Sequence, residues 1–327
     1  MSERGKQLSV DVEFVQSVAQ NILSEVGSVV VGKDEIIELM LISLLSEGNI
    51  LMEGVPGVAK TTIAKLFAHA TGCDFKRIQF TPDLQPTDIT GVYVYDQKTQ
   101  EFKYHASPIF ANIVLADEIN RAAPKTQSAM LEAMEEKTIT VEGTTRKLPR
   151  PFMMIATENP IELEGTYSLP EAQIDRFTFK LRLEYPDEEE ELGVLRLKNE
   201  HRSNGTQGGG CEKVSDPDQV QQCIGLVRQV HTEEKVMEYI RDIVIATRTH
   251  EDVFLGASPR GSINLLSCAK ARALMLGRSY VIPDDVKYLA PHILNHRIIL
   301  SPEAELAKVT VDDVVQDVLS TVSLPWS

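Results

Sequence analysis

Residues 48–62 read GNILMEGVPGVAKTT, and this stretch decides the fold prediction. It passes from a short apolar segment through a glycine turn into residues that favour a helix. Residues 54–61 fit the P-loop pattern GxxxxGK[ST] except at Ala59, where the pattern has glycine. Small residues between a strand and a helix let backbone N–H groups surround phosphates, with the helix N-terminus adding a favourable dipole. The stretch therefore predicts a phosphate-binding loop.

The candidate nucleotide-binding residues form one continuous segment. They are Gly54, Val55, Pro56, Gly57, Val58, Ala59, Lys60, Thr61 and Thr62. We expect Lys60 to reach the β- and γ-phosphates of ATP or ADP, and the Thr61 hydroxyl to hold Mg²⁺. We expect Ala59 to be compatible with helix geometry and nucleotide binding to survive it. The alternative is an ordinary glycine turn followed by a chance Lys-Thr pair.

Residues 113–118 read IVLADE, an apolar run that ends in two carboxylates. Asp117 is a candidate Mg²⁺ ligand, and Glu118 a candidate group that orients or deprotonates an attacking water. An apolar run followed by Asp-Glu is a weak signal alone. Its position after a phosphate loop in the same alternating region makes it a strong one.

Other apolar runs alternate with helical patterns, which predicts an α/β fold with a parallel sheet covered by helices on both faces. The predicted strands include residues 75–80, 113–116 and 152–157, and the predicted helices include 60–70 and 124–136. Two segments, 91–105 and 138–149, alternate apolar and polar residues around a polar turn. They predict β-hairpin insertions.

The second part of the chain is predicted to be helical. Residues 202–217 are polar and glycine-rich, which is typical of a loop. Helical patterns follow near residues 218–230, 233–250, 259–277 and 283–299. We therefore predict an α/β nucleotide-binding domain over residues 1–185 and a small all-α lid domain over 186–327, with the glycine-rich loop inside the lid.

Composition limits the class of protein. Of 327 residues, 43% are hydrophobic and 25% charged, and no apolar run is long enough to span a membrane. The polar N-terminus lacks the apolar core of a signal peptide, so we expect a cytoplasmic protein. A net charge of −15 disfavours nucleic acid as a partner. The four cysteines and seven histidines show no zinc-binding spacing.

The phosphate loop and the acidic strand end resemble those of AAA+ ATPases, and three further passages narrow the resemblance to the MoxR family. These passages are RIQFTPDLQPTDITG (77–91), IFANIVLADEINRAAPKTQSAMLEAMEE (109–136) and IATENPIELEGTYSLPEAQIDRF (155–177). The resemblance covers most of residues 10–300. It implies an AAA+ domain followed by a helical lid.

The resemblance also implies roles for single residues. Asn159 matches the sensor 1 position, which bonds the attacking water or the γ-phosphate. Arg176 matches the arginine finger, which reaches the nucleotide of a neighbouring subunit. Arg260 matches sensor 2 on the lid, which contacts the γ-phosphate. Val31 and Gly32 match the segment that lines the adenine pocket.

Each of these residues also has a plain structural interpretation. Asn159 could make an Asx-turn before Pro160. Arg176 could form a surface salt bridge with Asp175 or Glu171. Arg260 could be an ordinary arginine at a helix start, where a positive charge is unfavourable to the dipole.

The family resemblance implies a homo-oligomer, usually a hexameric ring, that hydrolyses ATP between subunits to remodel or activate a protein client. Such chaperones act in complex assembly or metal insertion, often with von Willebrand A-domain proteins. A nucleotide-gated scaffold with little turnover is one alternative, and Ala59 is the feature that favours it. A magnesium-chelatase-like subunit is a second. A DNA-directed motor is a third, which the acidic charge disfavours.

Overall fold

The computed structural model describes residues 3–160, 166–204 and 210–325. The strands are β1 (Ile50–Gly54), β2 (Phe75–Gln79), β3 (Val92–Asp96), β4 (Glu101–His105), β5 (Ile113–Asp117), β6 (Thr138–Val141), β7 (Thr144–Lys147), β8 (Met153–Glu158), β9 (Phe179–Leu183), β10 (Val253–Leu255) and β11 (Ile299–Leu300). The helices are α1 (Glu3–Gly27), α2 (Asp34–Leu45), α3 (Lys60–Ala70), α4 (Pro86–Thr90), α5 (Pro124–Glu136), α6 (Glu171–Ile174), α7 (Glu188–Asn204), α8 (Pro217–Val227), α9 (Glu234–Thr249), α10 (Pro259–Met275), α11 (Pro283–Leu294), α12 (Pro302–Leu306) and α13 (Val311–Thr321).

The central feature is a five-stranded parallel sheet with the order β2-β5-β8-β1-β9. Parallel neighbours need crossover connections, and here helices supply most of them. All five strands therefore end at one edge of the sheet. We call this the carboxyl edge, marked by Gly54, Asp117 and Glu158. The opposite amino edge is marked by Ile50 and Phe179, where β1 and β9 begin.

Both faces of the sheet are buried, as the continuous apolar strands predict. In β5, Ile113 and Leu115 face a core shared with α1, α2, α3 and the lid helices. Val114 and Ala116 face a second core shared with α4 and α5. All five residues of β5 are buried. Complete burial of a large aliphatic side chain stabilises the fold by about 1.5–3 kcal/mol, so this strand holds the two layers together.

The lid packs around α10, which contacts α8, α9 and α11 as well as α1 and α2. Helix α1 also contacts α3, the helix that follows the phosphate loop. Its side chains Val15 and Ile22 are fully buried in the shared core. Helix α1 therefore has a packing face that joins the lid to the α/β layer.

The two predicted hairpins are confirmed as β3–β4 and β6–β7. Tyr93 and Tyr104 pair across the first hairpin, and Arg146 of the second lies over the Tyr104 ring at 4.0 Å. Arg146 also donates a hydrogen bond to the Tyr93 hydroxyl at 3.0 Å. Farther out on the same face, the side chains of Tyr95 and Phe102 are exposed. The hairpins thus brace each other at their base and leave an aromatic tip uncovered.

The predicted α/β fold and helical lid are confirmed, with four differences of detail. Strand β9 was not predicted. Helix α7 continues to Asn204, so the irregular segment begins later than residue 202, and its residues 205–209 lie outside the described ranges. Helix α11 ends at Leu294, before the expected residue 299. The lid also contains a short antiparallel pair, β10–β11.

The predicted division near residue 185 falls just after β9, the last strand of the large sheet. Among the helices of the described ranges, none is both long and apolar enough to cross a bilayer. Residues 161–165, which belong to the passage 155–177, are not described.

Candidate functional site

The phosphate loop lies at the carboxyl edge, between β1 and α3. A Cβ atom at Gly54 would lie 2.6 Å from the Leu183 carbonyl oxygen, so the close approach of β9 requires glycine there. Gly57 has φ +90°, a conformation that glycine adopts without strain. Helix α3 begins at Lys60, and the first N–H groups of a helix have no partner within it. This geometry suits the binding of an anion.

Ala59 departs from the expectation that it fits helix geometry. It precedes α3 and adopts the left-handed conformation, with φ 62° and ψ 18°. An L-residue pays about 1–2 kcal/mol for this conformation, because Cβ approaches the following carbonyl oxygen. The glycine of the P-loop pattern avoids that cost, and alanine retains the conformation under strain.

We predict that Ala59→Gly raises the free energy of unfolding by up to about 1 kcal/mol, because relief of strain exceeds the added freedom of the unfolded chain. Urea denaturation of both proteins measures the difference. Gly57→Ala is the matched control in the same loop. A Cβ there meets nothing within 4 Å, so its cost is backbone strain alone, with the opposite sign. Equal or lower stability of Ala59→Gly would contradict the strain argument.

The Lys60 ammonium lies at the base of the loop, near the carboxylates. Its Nζ donates to the carbonyl oxygens of Gly54 at 2.5 Å and Glu158 at 2.9 Å. Burial lowers the pKa of Lys60, and the nearby charges of Asp117 and Glu118 act in the opposite direction. The structure therefore brings together the lysine and the acidic strand end that the sequence treated as separate motifs.

Around Lys60, the remaining loop residues differ in accessibility. Val58 is buried, Val55 and Thr61 are half-buried, and Pro56 and Thr62 are exposed. A cleft of about 590 Å³ opens beside the loop, lined in part by Gly54, Val55, Pro160 and Tyr185. The loop therefore borders open space on the side where β9 ends.

Asp117 is buried at the end of β5, and both carboxylate oxygens have partners. Oδ1 accepts from the Thr157 hydroxyl at 2.6 Å, and Oδ2 accepts from Arg77 Nε at 2.8 Å. Neither Arg77 nor Thr157 was predicted from the sequence as a site residue. Their positions could have indicated them, because both residues lie on the strands that flank β5. Arg77 is on β2, where Gln79 is in register with Asp117, and Thr157 is on β8.

Glu118 follows in the left-handed conformation, with φ 57°. Its N–H donates to the Thr157 hydroxyl at 2.9 Å. Its Oε2 atom accepts from Gln79 Nε2 and from Arg121 Nη1, each at 2.9 Å. The two donors fix the position of the Glu118 carboxylate.

Asn159 lies directly after β8 and is buried. Because Glu53 and Glu158 are in register, Asn159 is level with Gly54, the first residue of the loop. The carboxyl edge thus gathers Lys60, the two carboxylates and this amide.

The oxygen donors at this edge fit a magnesium ion. A threonine hydroxyl at the start of α3 and the buried carboxylate of Asp117 are the hard ligands that Mg²⁺ prefers. Lys60 contributes a cation beside them for phosphate oxygens. Thr61 and Asp117 are therefore the residues that would hold the ion.

Arg176 and Arg260 lie together, but at the amino edge. Arg176 is three residues before β9 begins, and its Nη1 pairs with Glu135 Oε2 at 2.9 Å. Arg260 Nη2 bonds the other oxygen of Glu135, and its Nη1 lies 3.8 Å from Asp175 Oδ2. Glu135, which holds both guanidinium groups, was not predicted as a site residue, because no local sequence pattern marks it.

The sheet separates these arginines from the phosphate loop of the same chain. Strand β9 has five residues, which span about 16 Å between the two edges. The resemblance implied that Arg260 contacts a γ-phosphate. Its ion pairs instead put it beside the candidate finger Arg176, on the side away from its own loop.

Val31 and Gly32 pack against α7. A Cβ at Gly32 would lie 1.9 Å from Glu190 Oε1, so the α7 side chain fills the space that glycine leaves. The neighbouring Lys33 pairs with Glu190 at 3.0 Å. A contact with adenine therefore stays a prediction for these two residues.

His296, just after α11, is buried against the segment that carries Arg176. Its Nε2 lies 3.1 Å from the Phe177 carbonyl oxygen. Burial, together with the charge of Arg297, lowers the pKa of His296 well below its ordinary value of 6.5. At a pH between the lowered pKa of the folded state and the ordinary pKa of about 6.5 in the unfolded chain, the unfolded chain binds more protons than the folded one. The free energy of unfolding therefore falls as the pH falls below about 6.5.

We predict that His296→Gln reduces this acid sensitivity, by at most about 1.4 kcal/mol per pH unit. Urea denaturation at about pH 7 and about pH 5 measures the slope. His105→Gln is the control, because His105 is exposed on β4. Parallel pH profiles for wild type and His296→Gln would contradict the assignment.

Comparison with known proteins agrees with this architecture. The model of the ATPase family associated with various cellular activities (AAA) matches residues 49–179. The model of the AAA lid domain matches residues 245–318. The first match contains the phosphate loop, the acidic strand end and Arg176, and the second contains Arg260.

Several proteins are similar over nearly the whole chain. The uncharacterized protein YeaC of Bacillus subtilis is 50% identical, over 93% of each chain. Chaperone MoxR1 of Mycobacterium tuberculosis is 44% identical, over 92% of this chain and 81% of its own. A crystal structure from Cytophaga hutchinsonii, described as a candidate ATPase, is 40% identical with a TM-score of 0.91 and 99% coverage of each chain.

Proposed function

The chain belongs to the MoxR family of AAA+ ATPases, and on that premise we propose that it hydrolyses ATP at sites shared between copies of itself. We propose further that this hydrolysis acts on a protein client.

One observation carries the first proposal. Lys60, Asp117 and Glu118 lie at the carboxyl edge, whereas Arg176 and Arg260 lie at the amino edge. The two arginines lie about 16 Å from the phosphate loop of their own chain, across β9, which is too far for them to contact phosphates bound there. A second copy that presents its amino edge to this carboxyl edge would complete the site. Repetition of that contact closes a ring or extends a filament, and the family resemblance favours a hexameric ring.

Within such a site each side chain has a task. Lys60 binds the β- and γ-phosphates, and Thr61 with Asp117 holds the magnesium ion. When bound, that ion neutralises charge on the phosphate oxygens. Glu118 orients and deprotonates the attacking water, and Asn159 fixes the position of that water. Arg176 and Arg260 of the neighbouring copy stabilise the charge that develops as the phosphoryl group is transferred.

The exposed hairpin supports the second proposal. Tyr95 and Phe102 are 49% and 68% exposed, although aromatic side chains favour burial. An exposed aromatic tip on an otherwise acidic protein fits contact with another protein better than with nucleic acid. MoxR1 is named as a chaperone, which agrees with a client of this kind. A von Willebrand A-domain protein as partner and a cytoplasmic location remain predictions.

ATP hydrolysis measured against protein concentration tests the shared site. Turnover per subunit is expected to rise with concentration and then level off as sites are completed. A rate per subunit that is independent of concentration, with the protein monomeric by light scattering throughout, would overturn the shared site. ATP binding without turnover at any concentration would favour the nucleotide-gated scaffold instead.

A further inference from the structure

Arg297, in the segment after α11 of the lid, has a completely buried side chain. Its Nε donates to Asp175 Oδ1 at 2.9 Å. Its Nη2 donates to the carbonyl oxygens of Asp175 at 3.1 Å and Phe177 at 2.5 Å. Its Nη1 donates to the carbonyl of Thr178 at 3.3 Å and to that of Ile293 near the end of α11. One guanidinium thus binds the chain on both sides of residue 176.

Other lid residues hold the same segment. The Ser258 hydroxyl donates to Asp175 Oδ2 at 2.9 Å, and a ring nitrogen of His296 contacts the Phe177 carbonyl. Arg176 itself stands between these anchored residues. The lid, which lies later in the chain, therefore helps to set the backbone position from which its guanidinium extends.

The contacts of Arg297 fix the position of the bonded segment more than they stabilise the fold. Removing a guanidinium from water is costly, and even a well-paired buried ion contributes little net stability. Arginine offers five N–H donors in a rigid planar fork, and here the fork bonds one carboxylate and four carbonyl oxygens. Lysine carries one charge on a flexible stem and cannot reproduce this pattern.

We propose that Arg297 is a positioning residue for the arginine finger. The lid of each subunit fixes the backbone that carries Arg176 and so aims the finger that this subunit presents to its neighbour's nucleotide. This role rests on the proposed function. It predicts a specific asymmetry: loss of the Arg297 contacts impairs the finger that a subunit donates, and spares the phosphate loop of the same subunit.

The first test is steady-state ATP hydrolysis by Arg297→Lys and Asp175→Asn in the full chain. A displacement of about 1 Å in a catalytic group can cost about 10²-fold, so we expect kcat to fall between 10- and 100-fold. The ATP dissociation constant of each variant should stay within about twofold of wild type, because the phosphate loop is about 16 Å away. Unchanged kcat in both variants, or a matching loss of ATP affinity, would overturn the role.

Arg278→Lys is the matched control. Arg278 is a lid guanidinium that bonds the fully buried Asp285 through Nη1 at 2.8 Å and Nη2 at 2.6 Å. Asp285 lies near the start of α11, and Arg297 follows the end of that helix about 18 Å away. We expect Arg278→Lys to weaken the lid without changing kcat. A loss of kcat equal to that of Arg297→Lys would reduce both to general effects on the lid.

Mixing experiments then assign the defect to one side of the subunit. Lys60→Ala lacks a working phosphate loop but keeps its finger, and Arg176→Ala has the reverse defect. Subunits mixed in dilute solution and concentrated with ATP should recover activity when Arg297→Lys meets Lys60→Ala. They should stay inactive when Arg297→Lys meets Arg176→Ala, because neither protein then donates an aligned finger.

The opposite pattern, recovery with Arg176→Ala only, would put the defect in the phosphate loop and overturn the role of Arg297. Failure of Lys60→Ala and Arg176→Ala to complement each other would overturn the shared site itself, and with it this role. Asp175→Asn, which keeps the backbone acceptors, replaces Arg297→Lys in the mixtures if the lysine variant does not fold by circular dichroism.

Discussion

Replacing Glu118 by glutamine is expected to lower kcat for ATP hydrolysis by about 10²–10³-fold and to leave ATP affinity within about twofold. The change keeps the shape of the side chain and removes its capacity to take a proton. Gln79 can still donate to the remaining side-chain oxygen. The lost ion pair with Arg121 is partly exposed and contributes little to stability. Phosphate release at saturating ATP and calorimetric titration with ATP measure the two quantities.

The control for this variant is Glu132→Gln, since Glu132 is an exposed residue of α5. It makes the same chemical change away from the carboxyl edge and should retain wild-type turnover. A Glu118→Gln protein with unchanged kcat would remove Glu118 from the chemistry. A parallel loss of ATP affinity would instead make Glu118 a residue that shapes the binding site.

The carboxyl edge could be predicted because its residues are tied to elements with strong local signals. Strands β1, β5 and β8 read as apolar runs, and each is followed by glycine or polar residues. Parallel strands bring their carboxyl ends together, so three separate motifs converge without further information. The two hairpins could also be predicted from the sequence, because the alternation of apolar and polar residues around a polar turn is a local property.

Strand β9 shows why some of the fold could not be predicted. It reads FKLRL, with charged residues at alternate positions, which does not resemble a strand of a buried parallel sheet. Its partner explains the charges. β9 is the edge strand beside β1, and Lys180 and Arg182 lie 3.3 and 3.7 Å from the Glu53 carboxylate. Predicting β9 as a strand therefore required knowledge of its contact with Glu53, more than a hundred positions earlier in the chain.

The cluster of charged residues at the amino edge could not be predicted from the sequence for the same reason. Glu135 lies 125 positions before Arg260, and no local pattern connects them. The conformation of Ala59 was also missed, because its left-handed backbone is imposed by the path of the loop rather than by the preference of alanine. Single residue types predicted candidate site residues, whereas the contacts between those residues became known only from the structure.

Replacing Arg176 by alanine is expected to lower kcat by about 10³-fold, the lower end of the range for an arginine that stabilises phosphoryl transfer in trans. ATP affinity of the dilute protein should stay close to wild type, because Arg176 lies at the amino edge. The rate per subunit should also lose its rise with concentration, since completed interfaces no longer supply the cation. Phosphate release over a range of protein concentrations, with ATP affinity measured separately, tests all three expectations.

Arg241→Ala is the control for charge alone, because Arg241 is an exposed lid residue paired with its neighbour Asp242. It removes one positive charge from the surface and should leave the rate and its concentration dependence intact. If Arg176→Ala kept wild-type turnover, the cation at the amino edge would have no part in the chemistry. The ion pair with Glu135 would then be only a link between α5 and the segment before β9, and each chain would be an ATPase by itself.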